Sequence, residues 1–228
     1  FALIACAGLL ISGCSQAQKT SFSQIPNKNP LVSKQDSLVH QMAEKFFDRS
    51  DAPGLMVCVA GNGGENYYSY GYAIPAEEIA FTENTVFEAG SITKTFVANL
   101  LLQLQWEGLL NIHQPIGTYL PDSVQNSFTK YMTMAEIASH ISGLPRLPPN
   151  YQETADFNAL QPYKNYGEEN LYSYLSKVEG IKPGGYEYSN LGFGLLGTIM
   201  ERKTGKSLEE LFQHYIFSPL QMEHSDLE

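Results

Sequence analysis

Phe87-Glu88-Ala89-Gly90-Ser91-Ile92-Thr93-Lys94-Thr95-Phe96 leads into a run that stays apolar at helical spacing and closes at Gly108. One long buried helix is therefore expected over residues 91–107. Ser91 and Lys94 lie three apart, which on a helix puts hydroxyl and amine on one face, a turn from each other. A neutral lysine so placed can take the serine proton. Unpaired amides and the positive end of the dipole at a helix start would stabilise the alkoxide or oxyanion that forms. A lysine of ordinary pKa, about 10.4, is a poor base at neutral pH, and burial can lower that value by up to about 3–5 units. Phe96, Val97, Ala98 and Leu100 supply apolar surroundings. The reading thus requires Lys94 to be largely buried and hydrogen-bonded to Ser91 and one further polar group.

Ser-x-x-Lys alone is weak, since about one match is expected by chance in a chain this long. The second match, Ser127-Phe128-Thr129-Lys130, sits in a polar lead-in with no long helix behind it, which favours Ser91. The Gly-x-Ser-x-Gly elbow of the α/β-hydrolases is absent. His40, His113, His140, His214 and His224 show no metal-ligand spacing, so no metal and no cofactor is expected. Of 228 residues 43% are apolar and 17% charged, with 14 Tyr and 12 Phe, enough for a sizeable core and against general disorder. The net charge of −10 comes without a basic stripe and speaks against nucleic-acid binding.

Residues 1–13 (FALIACAGLLISG) are apolar or small, too short to span a bilayer but suited to the core of a secretory signal whose start is clipped. Ile11-Ser12-Gly13-Cys14 resembles the bacterial lipoprotein box, in which cleavage precedes a Cys that carries lipid. The expectation is a lipid anchor on Cys14 that holds the protein to a membrane of the bacterial cell envelope, on its periplasmic or extracellular face. A buried N-terminal strand or helix is the alternative. Cys6 would leave with the signal, so only Cys58 remains. It lies in an apolar run and is expected in the core. Residues 14–35 read as the lipidated Cys and a polar tether, and residues 36–228 as one domain.

Along that domain, Asp36 is placed as the cap of a helix with Leu38, Val39, Met42, Ala43, Phe46 and Phe47 as its apolar stripe. Residues 55–60 suit a buried strand, and Gly61-Asn62-Gly63-Gly64 turns into a second strand. There Tyr68, Tyr70 and Tyr72 share one face, read as sheet packing. Further helices are expected near 134–140, 171–178, 191–202 and 207–215, with a Tyr-, Asn- and Pro-rich loop over 148–165.

The stretch from Phe87 to Phe96 resembles the first motif of the serine β-lactamase and penicillin-binding-protein superfamily. Pro183-Gly184-Gly185-Tyr186-Glu187-Tyr188-Ser189-Asn190 resembles its second motif in the Tyr-x-Asn form of the class C branch. Ser139-His140-Ile141-Ser142-Gly143-Leu144-Pro145 matches that branch's His-x-Ser-Gly-Leu-Pro turn. Phe217-Ser218-Pro219-Leu220-Gln221-Met222 resembles its Pro-Leu-Gly-Met element, with Gln221 where Gly is usual. The resemblance implies an α/β (α+β) fold of the β-lactamase/transpeptidase type, an antiparallel sheet flanked by helices plus a mostly helical subdomain.

It also implies roles. Ser91 would be acylated, and Lys94 would be its base or proton relay. Tyr188 would pass the proton to the leaving group and later activate water. Asn190 would bind the substrate amide and orient Lys94, and the Ser91 N–H would be one oxyanion donor. Tyr163-Lys164-Asn165, a second Tyr-x-Asn match, reads as a wall of the cleft or as nothing, and His140 as a structural hydrogen-bonder within its turn. Lys203-Thr204-Gly205 spells the family's third motif but follows an apolar helix, only 15 residues after Tyr188, and reads as a helix C-cap. The expectation is that the 228 residues end before the strands that carry the third motif.

The function implied is a serine hydrolase acting through acyl-Ser91 on an amide or ester: a peptidoglycan peptide ending in D-Ala-D-Ala, a β-lactam or a small ester. The alternatives are a penicillin-binding sensor acylated without efficient turnover, and an inert lipoprotein that keeps relic motifs.

Overall fold

The computed structural model describes residues 21–61, 64–179, 181 and 183–227. Cys14 and the signal-like segment lie outside them. Contacts gather these residues into two compact units that meet in sequence between Phe87 and Glu88, inside the first motif.

The smaller unit, residues 21–87, is one helix on a short antiparallel sheet. Helix α1 (Lys34–Phe47) begins at Ser33, not Asp36. Ser33 Oγ accepts the Asp36 N–H at 3.0 Å, and Asp36 Oδ2 accepts the Ser33 N–H at 2.9 Å, a reciprocal cap. The other Asp36 oxygen accepts the Tyr68 hydroxyl at 2.8 Å, which ties the helix start to the sheet.

Strand β1 (Gly54–Gly61) pairs with β2 (Gly64–Ile74), and a two-residue β3 (Ile79–Ala80), too short to read from sequence, pairs with β2's far side. Tyr68 and Tyr70 are buried with Val39, Ala43 and Phe47, so the tyrosine row is sheet packing, while Leu38, Met42 and Phe46 stay exposed. Cys58 is exposed, not in the core: strand alternation turns Leu55, Val57 and Val59 toward α1 and Cys58 away. Gly71 adopts φ +69, and a Cβ there would fall 2.3 Å from the Pro53 carbonyl oxygen, so only glycine fits.

The stretch expected as a tether is docked from Phe22 onward. The Phe22 ring lies 4.9 Å from His40, and Asn29 exchanges two 2.8 Å hydrogen bonds with Ser69. Phe22 and Ile25 pack against the cluster, and Pro26 O accepts the Gly71 N–H at 2.8 Å, so a segment of polar composition is held by two apolar side chains and a few hydrogen bonds.

The larger unit, residues 88–227, is helical. After a one-turn segment Gly90–Ile92 come α2 (Thr93–Trp106), α3 (Ser127–Tyr131), α4 (Met134–Ala138), α5 (Glu168–Leu175), α6 (Asn190–Thr204) and α7 (Leu208–Phe212). Helix α6 is the central rod. Every residue from 190 to 200 is buried, as suits a helix that is apolar all round. It packs between α2 and α4. Gly192 makes that approach possible, since a Cβ there would sit 2.9 Å from Ile137 Cγ2. Gly205, at φ +69, ends α6, so Lys203-Thr204-Gly205 is a helix terminus. Gln221 takes φ +55, the left-handed backbone that explains why its family element favours glycine at that place. No helix among the described residues is long and apolar enough to cross a membrane.

Candidate active site

Ser91 falls in the single turn Gly90–Ile92 that precedes α2, not in the helix proper, and it is exposed. Thr93 starts the α-helix, so Lys94 sits in its first turn with its side chain directed inward, 8% exposed. The Lys94 ammonium donates to Asn190 Oδ1 at 2.8 Å and reaches Ser91 Oγ at 3.4 Å. It lies 4.7 Å from the centroid of the Tyr188 ring and 5.7 Å from that of Phe193. The burial and the two polar partners are those the sequence reading requires.

Tyr188 and Asn190 come from the other side of the unit. Asn190 is the first residue of α6, capped by Ser189, whose Oγ accepts the Gly192 N–H at 2.9 Å. Tyr188 stands two residues ahead and donates from its hydroxyl to Ser91 Oγ at 2.6 Å. A continuous chain of hydrogen bonds therefore runs from Tyr188 through Ser91 and Lys94 to Asn190. Burial raises the pKa of the Tyr188 phenol, but bonding to Lys94 and Ser91 and the charges of Lys94 and Arg146 outweigh it. The net result lies below the ordinary tyrosine value.

The turn after α4 holds this second segment in place. His140 takes a left-handed backbone at φ +59. Its carbonyl accepts the Glu187 N–H at 2.8 Å, and Ile141 O accepts the Gly184 N–H at 3.0 Å. Ser189 Oγ donates to Pro145 O at 2.7 Å, and the Asn190 N–H to Arg146 O at 3.0 Å. His140 Nδ1 accepts the Ser189 N–H at 3.0 Å, so the hydrogen bonds of His140 reach past its own turn to the Tyr-x-Asn segment. Its ring lies 4.5 Å from that of Tyr188. Burial first, and the Lys94 charge second, hold its pKa below the usual histidine value, which favours the neutral imidazole this bond needs.

One residue near the site, Arg146, gave little sign in the sequence. The Arg146 guanidinium lies 5.1 Å from the Tyr188 ring centroid, and its place directly after the Gly-Leu-Pro turn was the one available clue. Tyr163, from the 148–165 loop, lies against Asn190: burial pushes its pKa up, and its hydrogen bonding with Asn190 opposes the rise. The two residues share a cavity of about 20 Å³, with Tyr166, Leu171 and Pro148 among its walls. Tyr163 is thus a wall beside the site. Asn165 of the same match bonds the carbonyls of Ala155 and Asp156 within the loop. The rival serine, Ser127, opens the five-residue α3, and Lys130 is exposed there.

The Beta-lactamase family model matches residues 39–228. A β-lactamase of Providencia stuartii is 28% identical over 189 residues, 82% of this chain and 46% of that protein. The D-alanyl-D-alanine-carboxypeptidase/endopeptidase AmpH of Escherichia coli K12 is 27% identical over 89% of this chain and 53% of its own length. A solved class C β-lactamase superposes with a TM-score of 0.72 at 28% identity, over 88% of this chain and 54% of that one. The chain thus spans about half the length of the curated relatives it matches. With its motifs, its fold and these matches in agreement, the chain belongs to the β-lactamase family and has the β-lactamase/transpeptidase fold.

Proposed function

We propose that the protein is a serine hydrolase that works through an acyl-Ser91 intermediate. The observation that carries this reading is the hydrogen-bonded chain Tyr188–Ser91–Lys94–Asn190, with distances of 2.6, 3.4 and 2.8 Å. Ser91 Oγ attacks the substrate carbonyl and gives its proton to Tyr188, acting as phenolate beside the Lys94 ammonium. The carbon–oxygen bond to Ser91 forms, and the bond to the leaving nitrogen or oxygen breaks. Tyr188 returns the proton to that leaving group. Water then adds to the acyl-enzyme as Tyr188 takes its proton, the bond to Ser91 Oγ breaks as Tyr188 hands that proton to it, and the carboxylic acid departs. Asn190 holds Lys94 and offers its amide to the substrate, and the Ser91 N–H donates to the oxyanion, a contact worth about 3–4 kcal/mol in such sites.

The substrate class follows from the relatives' names: a β-lactam, or a peptide ending in D-alanyl-D-alanine. A small ester fits the same chemistry. Incubation of the intact protein with a fluorescent penicillin and a fluorophosphonate, with Ser91→Ala as control, tests it. A Ser91 adduct that forms and is released supports the hydrolase. A penicilloyl adduct that persists supports a sensor, and no adduct from either reagent on folded protein overturns acylation altogether.

We further propose that Cys14 carries lipid and keeps the protein on a membrane of the cell envelope. The support is the lipoprotein-like sequence that ends there. Metabolic labelling with radioactive palmitate should mark the wild type and not Cys14→Ser.

A further inference from the structure

The two ends of Arg146 do different jobs. Its carbonyl accepts the N–H groups of Asn190 and Leu191, at 3.0 and 3.4 Å, and so fixes the start of α6. Its exposed side chain turns back over the phenol, with the guanidinium carbon 5.1 Å from the Tyr188 ring centroid. Lys94 Nζ lies 4.7 Å from the same centroid, so one ring carries two cations, a buried one on α2 and an exposed one on the turn. We propose that Arg146 is a positioning residue of acylation: laid on the Tyr188 ring, its charge favours the phenolate that takes the Ser91 proton, and so sets the pH range in which Ser91 reacts. The proposal rests on the reading of Ser91 as nucleophile and Tyr188 as proton carrier.

The physics is differential. A guanidinium over a neutral phenol gains a modest cation–π attraction, and over a phenolate it gains a full charge interaction. Removal of the proton therefore strengthens the contact. Arginine suits the role because it stays charged across the working pH range and its plane lies flat on a ring. Among the described residues, three titratable groups lie against the Tyr188 ring besides Ser91. They are Lys94 from α2, His140 from the turn at 4.5 Å between rings, and Arg146. Tyr186 meets His140 edge-on at 5.7 Å, and Tyr163, whose pKa burial pushes up, lies beyond Asn190. His140 adds no charge while its Nδ1 accepts the Ser189 N–H. The positive field on the ring therefore comes from Lys94 and Arg146. The phenol's net shift below the ordinary tyrosine value, against the opposing effect of burial, agrees with this assignment.

An exposed cation at this range contributes about half a pH unit after solvent screening. Arg146→Gln should move the ascending limb of the acylation rate upward by about that much, with rates on the limb falling about threefold. Arg146→Lys, which keeps the charge, should restore most of the shift. Tyr188 itself can be read without activity by carbon-13 NMR of ring-labelled tyrosine in the intact protein, with Tyr188→Phe to identify its signal. The expected result is a higher Tyr188 titration midpoint in Arg146→Gln, matched by the acylation limb. Unchanged midpoint and limb would overturn the proposal, as would a slowing equal at every pH, which assigns Arg146 to substrate binding. Failure of Arg146→Lys to restore the limb would also sink it. If wild type shows no Ser91 acylation at any pH, the parent reading falls, while the NMR titration still reports on the Arg146–Tyr188 coupling.

Discussion

Lys94 touches an amide oxygen, a hydroxyl and two aromatic faces, so its substitution removes the cation that favours the Tyr188 phenolate and a partner of Ser91 and Asn190 together. Lys94→Met should slow acylation by about 10²–10⁴-fold, the usual worth of positioned proton transfer, in stopped-flow labelling with a chromogenic β-lactam. His140→Ala should lower acylation about tenfold and stability by about 1–3 kcal/mol, because the Ser189 N–H loses its acceptor and Tyr188 loses the tilted ring beside it. A thermal melt beside the labelling assay checks both. Ser91 and Lys94 were legible from spacing plus the apolar run behind them. Tyr188 and Asn190 became legible only through the resemblance, since no local periodicity joins residues 97 and 96 positions away from Ser91 and Lys94. Tyr163 was legible only as a wall of the cleft or as nothing, and Arg146 reaches Tyr188 by crossing between loops, for which a linear reading has little signal.

The helices were legible at the level of existence, and their ends were set by contacts that a sequence shows less clearly. Asp36 is an example: its residue type suggests a cap, yet it serves as the third helical residue of a box opened by Ser33. The Tyr68 hydroxyl first, then Ser33 backbone and side chain, hold its carboxyl down to about 2 from an ordinary 3.8. The resulting stability is therefore fully present above about pH 3.8 and is lost as pH falls through about 2. In acid titrations followed by circular dichroism, Asp36→Asn should be the less stable protein near neutrality and should lose less on acidification. Cys58 shows the opposite limit, since a continuous apolar run carries no period to tell which strand face is inward. In α6, Gly192→Ala would gain about 1 kcal/mol of helix propensity but meet Ile137 at 2.9 Å. Overpacking costs about 1–3 kcal/mol, so net destabilisation is expected in urea titration, with acylation slowed as the Ser189 cap shifts.

Among the described residues the buried apolar side chains form two clusters, one in each unit, and all four proposed site residues belong to the larger unit. Composition could show that enough apolar residues exist for a core, but not that they would divide between two. The net charge of −10 should keep polyanions away, and labelled duplex DNA should show no anisotropy change with the protein in 50 mM salt. A saturable rise would overturn that expectation. The turn that receives the Tyr-x-Asn segment does so through the carbonyl oxygens of residues 140, 141, 145 and 146 and one ring nitrogen, His140 Nδ1. Alignment of the reactive groups is therefore written mostly in the path of the chain. Descendants could exchange the outward side chains of that turn and acquire new chemical preferences while the jig that seats their tools stays as it was.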